Sequence, residues 1–188
     1  MSRFALLVSA STMAVVAGSA NAEAAYYLGA GLEASRSDVD TVRPSFFGPP
    51  TNTSTKFSDR RVSGFGGVRF TFPSNVFVGG ELEVFETLSS GAALDGGGRT
   101  RLMLGFDFGK TVVHAGVGRG IYDIEGSVDG HVWGDHALIG FSQELNDRVS
   151  LRFDLMQDNF DYSSDDGSKV SSNASSTRSL RVSTIYTF

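Results

Sequence analysis

The chain has 188 residues with 23 Gly, 15 Phe, 5 Tyr and 4 Pro, 20% charged residues and a net charge of −5. This composition excludes a collagenous or disordered chain, and an acidic protein without a basic cluster is no nucleic-acid binder. The absence of cysteine removes disulfides, thiolate metal sites, a Cys nucleophile and a lipidated Cys together.

In chain order, the first element is an export signal. Met1-Ser2-Arg3 is followed by an apolar run from Phe4 to Gly18, then by Ser19-Ala20-Asn21-Ala22 before Glu23. That is an n-region, an h-region and an A-x-A cleavage pattern, so residues 1–22 are expected to be removed and residues 23–188 to form one domain. The run contains Ser9, Ser11 and Thr12 and falls short of the ~20 residues that a spanning helix needs.

Eight segments of about ten residues follow, each with period-two alternation. The first runs from Tyr26 to Ser35, with Leu28 and Leu32 opposite Glu33. The second sets Val62, Val68, Phe70 and Phe72 against Arg61, Ser63 and Arg69. The third sets Val78, Leu82 and Val84 against Glu81 and Glu83, and the fourth sets Leu102, Leu104, Phe106 and Phe108 against Arg99, Arg101, Gly105 and Asp107. In the fifth (Thr111 to Tyr122) and sixth (Asp135 to Glu144), Gly116, Gly118 and Gly120 blur one side, and the faces stay open. The seventh alternates Val149, Leu151, Phe153 and Leu155 with Ser150, Arg152, Asp154 and Met156. The eighth places Leu180, Val182, Tyr186 and Phe188 against Ser179, Arg181, Ser183 and Thr187, with Thr184 and Ile185 as an imperfect pair.

The connectors alternate as well. Long polar ones cover 37–59, 89–98, 123–134 and 158–176, and the short ones are Pro73-Ser74-Asn75, Gly109-Lys110 and Asn146-Asp147-Arg148. Long loops at one end and tight turns at the other are the pattern of a transmembrane barrel. A soluble sandwich or lipocalin-like barrel shares the alternation, so the direction of the apolar face decides. The charged parity collects Arg61, Arg69, Arg99, Arg101, Arg152 and Arg181 against Glu33, Glu81, Glu83, Asp107, Glu144 and Asp154. A closed polar interior needs that balance and a solvated surface does not, because unpaired buried charge costs several kcal/mol. Aromatic residues near the short turns (Tyr26, Tyr27, Phe70, Phe72, Phe77, Phe106, Phe108, Tyr186, Phe188) read as an interfacial girdle.

The ending Leu180-x-Val182-x-Thr184-x-Tyr186-x-Phe188 resembles the C-terminal strand of bacterial outer-membrane barrels, and Val112-Val113-His114-Ala115-Gly116-Val117-Gly118 is similar to the Gly-rich fifth strand of the Opa-like group. Over the whole mature chain the pattern looks like the small barrels of the OmpA transmembrane-domain, OmpX and Opa-like type. The resemblance implies an all-β, eight-stranded, antiparallel up-and-down barrel in the outer membrane, without OmpA's periplasmic domain. It also implies that the barrel assembly machinery reads Tyr186 and Phe188 as an assembly signal. A monomer without cofactor is expected.

Eight strands close to a radius at which side chains fill the lumen, which predicts an ion-pair core rather than a pore. Function is then left to the long loops, in envelope integrity and surface interaction. The alternatives are an adhesin and a lipid A-modifying hydrolase. His131 and His136 lie beside Asp129 and Asp135, but no His-x-Ser pair like that of the lipid A deacylases is present. His114 falls on the inward parity and reads as a hydrogen-bonded lumen residue. Asp161, Ser163 and Asp165 alternate as in a calcium loop, yet Asp166 and Ser172 stand where Gly and Glu are required, so no metal site is expected. Last, Arg36, Arg60 and Arg178 sit about ten residues from the short-turn end on strands that become neighbours on closure, and are expected to meet lipopolysaccharide phosphate, with Arg119 as a separate site on the far wall.

Overall fold

The structure is a computed structural model that describes residues 22–43, 49–88, 94–124, 130–165 and 170–188. Of the expected signal, residues 1–21 lie outside these. Eight antiparallel strands follow one another in a closed barrel: β1 (Glu23–Arg43), β2 (Thr51–Thr71), β3 (Val76–Thr87), β4 (Gly96–Asp107), β5 (Thr111–Asp123), β6 (His131–Glu144), β7 (Val149–Asp165) and β8 (Val170–Thr187). The barrel shuts by pairing β1 with β8, from Tyr27 opposite Thr187 to Val42 opposite Ser172. Closure leaves no open edge within the hydrocarbon layer, which lipid would penalise.

The short turns are built locally. Asn75 (φ 63°) and Gly109 (φ 88°) take the left-handed conformation that tight hairpins need. The Asp107 carboxylate accepts the Gly109 N–H at 2.7 Å, and Asn146 Oδ1 accepts the N–H groups of Arg148 and Val149 at 3.0 Å.

At the other end the strands run further than the alternation predicts. β1 and β2 have 21 residues each and β7 and β8 have 17 and 18, against 12 to 14 for β3 to β6. The expected connectors 37–59 and 158–176 are therefore mostly strand. Most of their inward and outward residues are polar, Val39 and Phe160 being buried exceptions, so the pairing continues where the amphipathic signal has ended.

Within the barrel, large inward residues face glycine across the ladder: Phe77 opposite Gly105, and Arg99, Arg101 and Met103 opposite Gly120, Gly118 and Gly116. A Cβ on Gly105 would enter the Phe77 ring, and one on Gly118 would strike the Thr100 carbonyl. The glycines that blur the fifth segment are thus inward, and they make the room the lumen residues occupy. One apolar cluster (Phe77, Met103, Val112, Leu138, Met156) lies toward the short turns and another (Phe85, Leu94, Tyr122, Ile124, Val132, Phe160) toward the loops. Tyr27 and Phe77, expected in the girdle, point inward instead, because they share parity with Gly29 and with Glu81 respectively.

Candidate functional site

Between the two apolar clusters lies a layer of charge. Among the described residues, five guanidiniums (Arg61, Arg99, Arg101, Arg152, Arg181) and six carboxylates (Glu33, Asp59, Glu81, Glu83, Asp154, Asp158) are buried there, Asp59 lying 3.8 Å from Arg61. Many of their bonds cross the lumen rather than joining neighbouring strands. Arg99 on β4 reaches Glu33 on β1 at 3.1 Å and Asp158 on β7 at 2.7 Å. Arg152 on β7 reaches Glu81 on β3 at 2.5 Å, and Arg181 on β8 reaches Glu83 on β3 at 2.6 Å and Asp154 at 2.6 Å. Arg61 meets Glu33 at 2.9 Å, and Arg101 bonds both Glu81 and Glu83. Charge-assisted bonds of this kind offset the desolvation of both partners only when nearly every oxygen is used, and here Glu33, Glu81, Glu83, Asp154 and Asp158 each have at least two donors, whereas Asp59 Oδ2 has no hydrogen-bond partner among the described residues.

The outer wall has the opposite character. Leu32 is 65% exposed, Ile139 60% and Leu104 56%, whereas Arg61 and Arg181 are 0% exposed. From Arg178 to Phe188 are ten residues, about 33 Å at ~3.3 Å each, which a tilt of about 40° reduces to about 25 Å, the height of the apolar band of membrane barrels. No protein-family profile and no curated protein sequence matches the chain. Solved structures do match. The outer membrane protein OprG from Pseudomonas aeruginosa superposes with a TM-score of 0.53 at 11% identity, over 90% of this chain and 98% of that one. Neisserial surface protein A matches with a TM-score of 0.45 at 13% identity, over 85% of this chain and 97% of that one. The fold is that of a small outer-membrane β-barrel.

Inside this outer-membrane barrel fold, the structure brings together Glu33, Arg61, Glu81, Glu83, Arg99, Arg101, Arg152, Asp154 and Arg181. Arg69, Asp107 and Glu144 share the inward parity but sit at the short-turn mouth, outside the network. There Arg69 lies 5.7 Å from the Phe77 ring centre and Asp107 holds the Gly109 turn. Sequence reasoning assigned Asp158 to a loop and left the face of His136, in the sixth segment, open. Both are wholly inward, and the signal was available, since Asp158 continues the parity of Arg152, Asp154 and Met156.

The two buried histidines are occupied on the inside of the barrel. His114 Nε2 meets Asp154 at 2.7 Å. His136 Nδ1 meets Asp158 at 2.7 Å, while its Nε2 is 2.6 Å from Arg101 Nη1. A guanidinium only donates, so His136 Nε2 accepts and Nδ1 carries the proton that goes to Asp158. His131 lies at the exposed end of β6, bonded to Asp123. Tyr27 and Tyr122 donate their hydroxyls to Glu81 at 2.8 Å and Asp158 at 2.6 Å. Asp129 and Asp166 lie outside the described residues, and no cluster of three metal-ligating side chains occurs among the described ones.

On the outer wall a groove of about 960 Å³ crosses from β6 to β2. Its loop-side edge is the row Gln157, Arg178, Arg36, Ser58, and its turn-side edge is Leu155, Leu180, Ala34, Arg60. Arg36, Arg60 and Arg178 are thus on one wall. Arg119 stands apart on β5, 3.6 Å from Asp135 and over the exposed Trp133 ring at 5.9 Å. At the opposite end of the barrel, Tyr186 and Phe188 pack edge to face at 5.1 Å, and the Phe188 N–H donates to the Tyr26 carbonyl at 3.0 Å.

Proposed function

We infer that the protein resides in the bacterial outer membrane as a sealed, non-enzymatic barrel that supports envelope integrity and offers its loop-side rim for surface contacts. The observation that carries this reading is the inversion of burial, with paired charge inside and exposed Leu, Val, Ile and Phe outside. The cross-lumen ion pairs support a lumen filled by side chains instead of a solute path. His136 is unsuited to catalysis: a general base needs a free imidazole nitrogen to take the nucleophile's proton, and Arg101 occupies the one on His136. Tyr186 and Phe188 are the assembly signal in this reading.

The deciding experiment is an SDS gel of unboiled against boiled protein refolded into lipid, together with conductance of planar bilayers containing it. A heat-dependent shift and no conductance above bare lipid are expected. A protein without the shift is not a closed barrel, and steady conductance would overturn the sealed lumen. Lipid A mass spectra should be the same with and without the protein. Deleting Phe188 should lower outer-membrane levels and raise periplasmic degradation, while Thr187→Ala should do little. Exchanging residues 37–59 should alter cell attachment and leave the heat shift unchanged.

A further inference from the structure

The arginines on the outer wall are arranged in a way that folding alone does not favour. Arg36 and Arg178 are direct cross-strand partners on β1 and β8, and like charges in that position repel. Neither has a hydrogen-bond or ion-pair partner among the described residues. The nearest outward carboxylate along β1, Asp38, is 3.9 Å from Lys56. Arg119 supplies the contrast, because it has both Asp135 and Trp133. Two facing, solvent-accessible guanidiniums with a third one strand away are a receptor for an anion from outside the chain.

The surroundings specify which anion. Directly on the turn side of the pair lie Ala34, Leu180 and Leu155, an apolar floor in the groove of about 960 Å³, and Ala34 is small enough to let a chain approach the sheet. Cationic groups above an apolar floor, about ten residues from the short-turn end, match a phosphate above acyl chains at the interface on the loop side. Guanidinium binds phosphate bidentately, and a rim position keeps the desolvation cost low. Cations on three adjacent strands suit a headgroup with more than one phosphate on a rigid frame better than a single phosphodiester.

We propose that this groove binds lipopolysaccharide, with Arg36, Arg178 and Arg60 holding the lipid A phosphates and its acyl chains lying over Ala34, Leu155 and Leu180. The site rests on the outer-membrane reading above, which puts the loop side in the outer leaflet.

The test uses the full mature chain, refolded in detergent, captured on a tag and assayed for retained lipid. The probes are bisphosphorylated lipid A, the same lipid A with both phosphates removed, and phosphatidylglycerol. The parent should retain bisphosphorylated lipid A at least about tenfold better than either other lipid. The combined Arg36→Gln, Arg60→Gln and Arg178→Gln variant should fall to the dephosphorylated level with its heat shift intact, and Arg119→Gln should behave as the parent. Equal retention of the two lipid A forms by the parent overturns the site, and that comparison stands even if the triple variant does not fold. So does a folded triple variant that retains lipid A as the parent does, while equal retention of phosphatidylglycerol overturns the commitment to lipid A. A parent without a heat shift would sink the outer-membrane reading itself, whereas a parent with the shift and no phosphate preference sinks only the site.

Discussion

The two sides of the lumen are lined by different kinds of residue. From β3 to β7 the inward positions carry Phe, Glu, Arg, Met, His, Tyr and Asp, interleaved with glycines that receive them. On β8 and the facing part of β1 they are mostly small and polar, Ser171, Asn173, Ser175, Thr177, Ser179 and Ser183 with Gly31, Ser35 and Ser37 opposite, interrupted by the facing pair Arg181 and Glu33. The first side supplies most of the side chains that cross the barrel, and on the second only Arg181, which crosses to Glu83, and Glu33, which receives Arg99, take part in cross-lumen ion pairs among the described residues. Where long side chains must cross to a partner, each bond depends on several others. Where short hydroxyls line the wall, bonds such as that between Ser37 and Thr177 at 2.8 Å join adjacent strands and stand alone. Substitutions should therefore be severe and coupled on the first side, and mild and additive on the second.

The largest expected effect is from Gly118→Val. Its Cβ would meet the Thr100 carbonyl and the Arg101 backbone, neither of which is a flexible chain end, so the heat-shifted form should be lost on an unboiled gel. Next is Asp154→Asn, which takes charge from the partner of Arg152, Arg181 and His114 together. Its cost should be about 3–5 kcal/mol, read as a lower urea midpoint for unfolding from vesicles. On the hydroxyl side, Thr177→Val strands the Ser37 hydroxyl and should cost about 1–2 kcal/mol by the same measurement. Ser175→Ala should change stability by less than about 0.5 kcal/mol. If either hydroxyl variant costs as much as Asp154→Asn, the two sides are not distinct in the way their residues indicate.

Alternation made the strands, their order and the sense of the apolar face legible. That was easiest in β4, β7 and β8, where Leu or Phe alternates with Arg, Asp or Ser over most of the strand. It was weakest in β5, because an inward glycine is silent until its cross-strand partner is known, and Gly118 is explained only by Arg101 and His136 on either side. Strand ends were illegible for a different reason. Residues such as Asp38, Thr41, Asp158 and Thr177 are polar on both faces of the sheet, so hydrophobic periodicity cannot separate them from loop. Partner choice in the lumen was hidden as well: parity says that Arg99 points inward, but only closure brings Glu33 and Asp158 to it.

The unequal strand lengths have one more consequence. Beyond Arg61, β2 continues to Thr51 with β1 as its ladder partner, and beyond Phe160, β7 continues with β8 alone among the described residues. Among the described residues the closed barrel thus opens at its loop end into a four-stranded blade whose two outer flanks have no ladder partner, each a row of backbone donors and acceptors of the kind a second chain templates on. Along β2 that flank reads Thr51-Asn-Thr-Ser-Thr-Lys56-Phe-Ser58, hydrophilic apart from one Phe and carrying a lysine. Such a composition keeps water as the better partner along that flank and works against copies stitching into fibrils there.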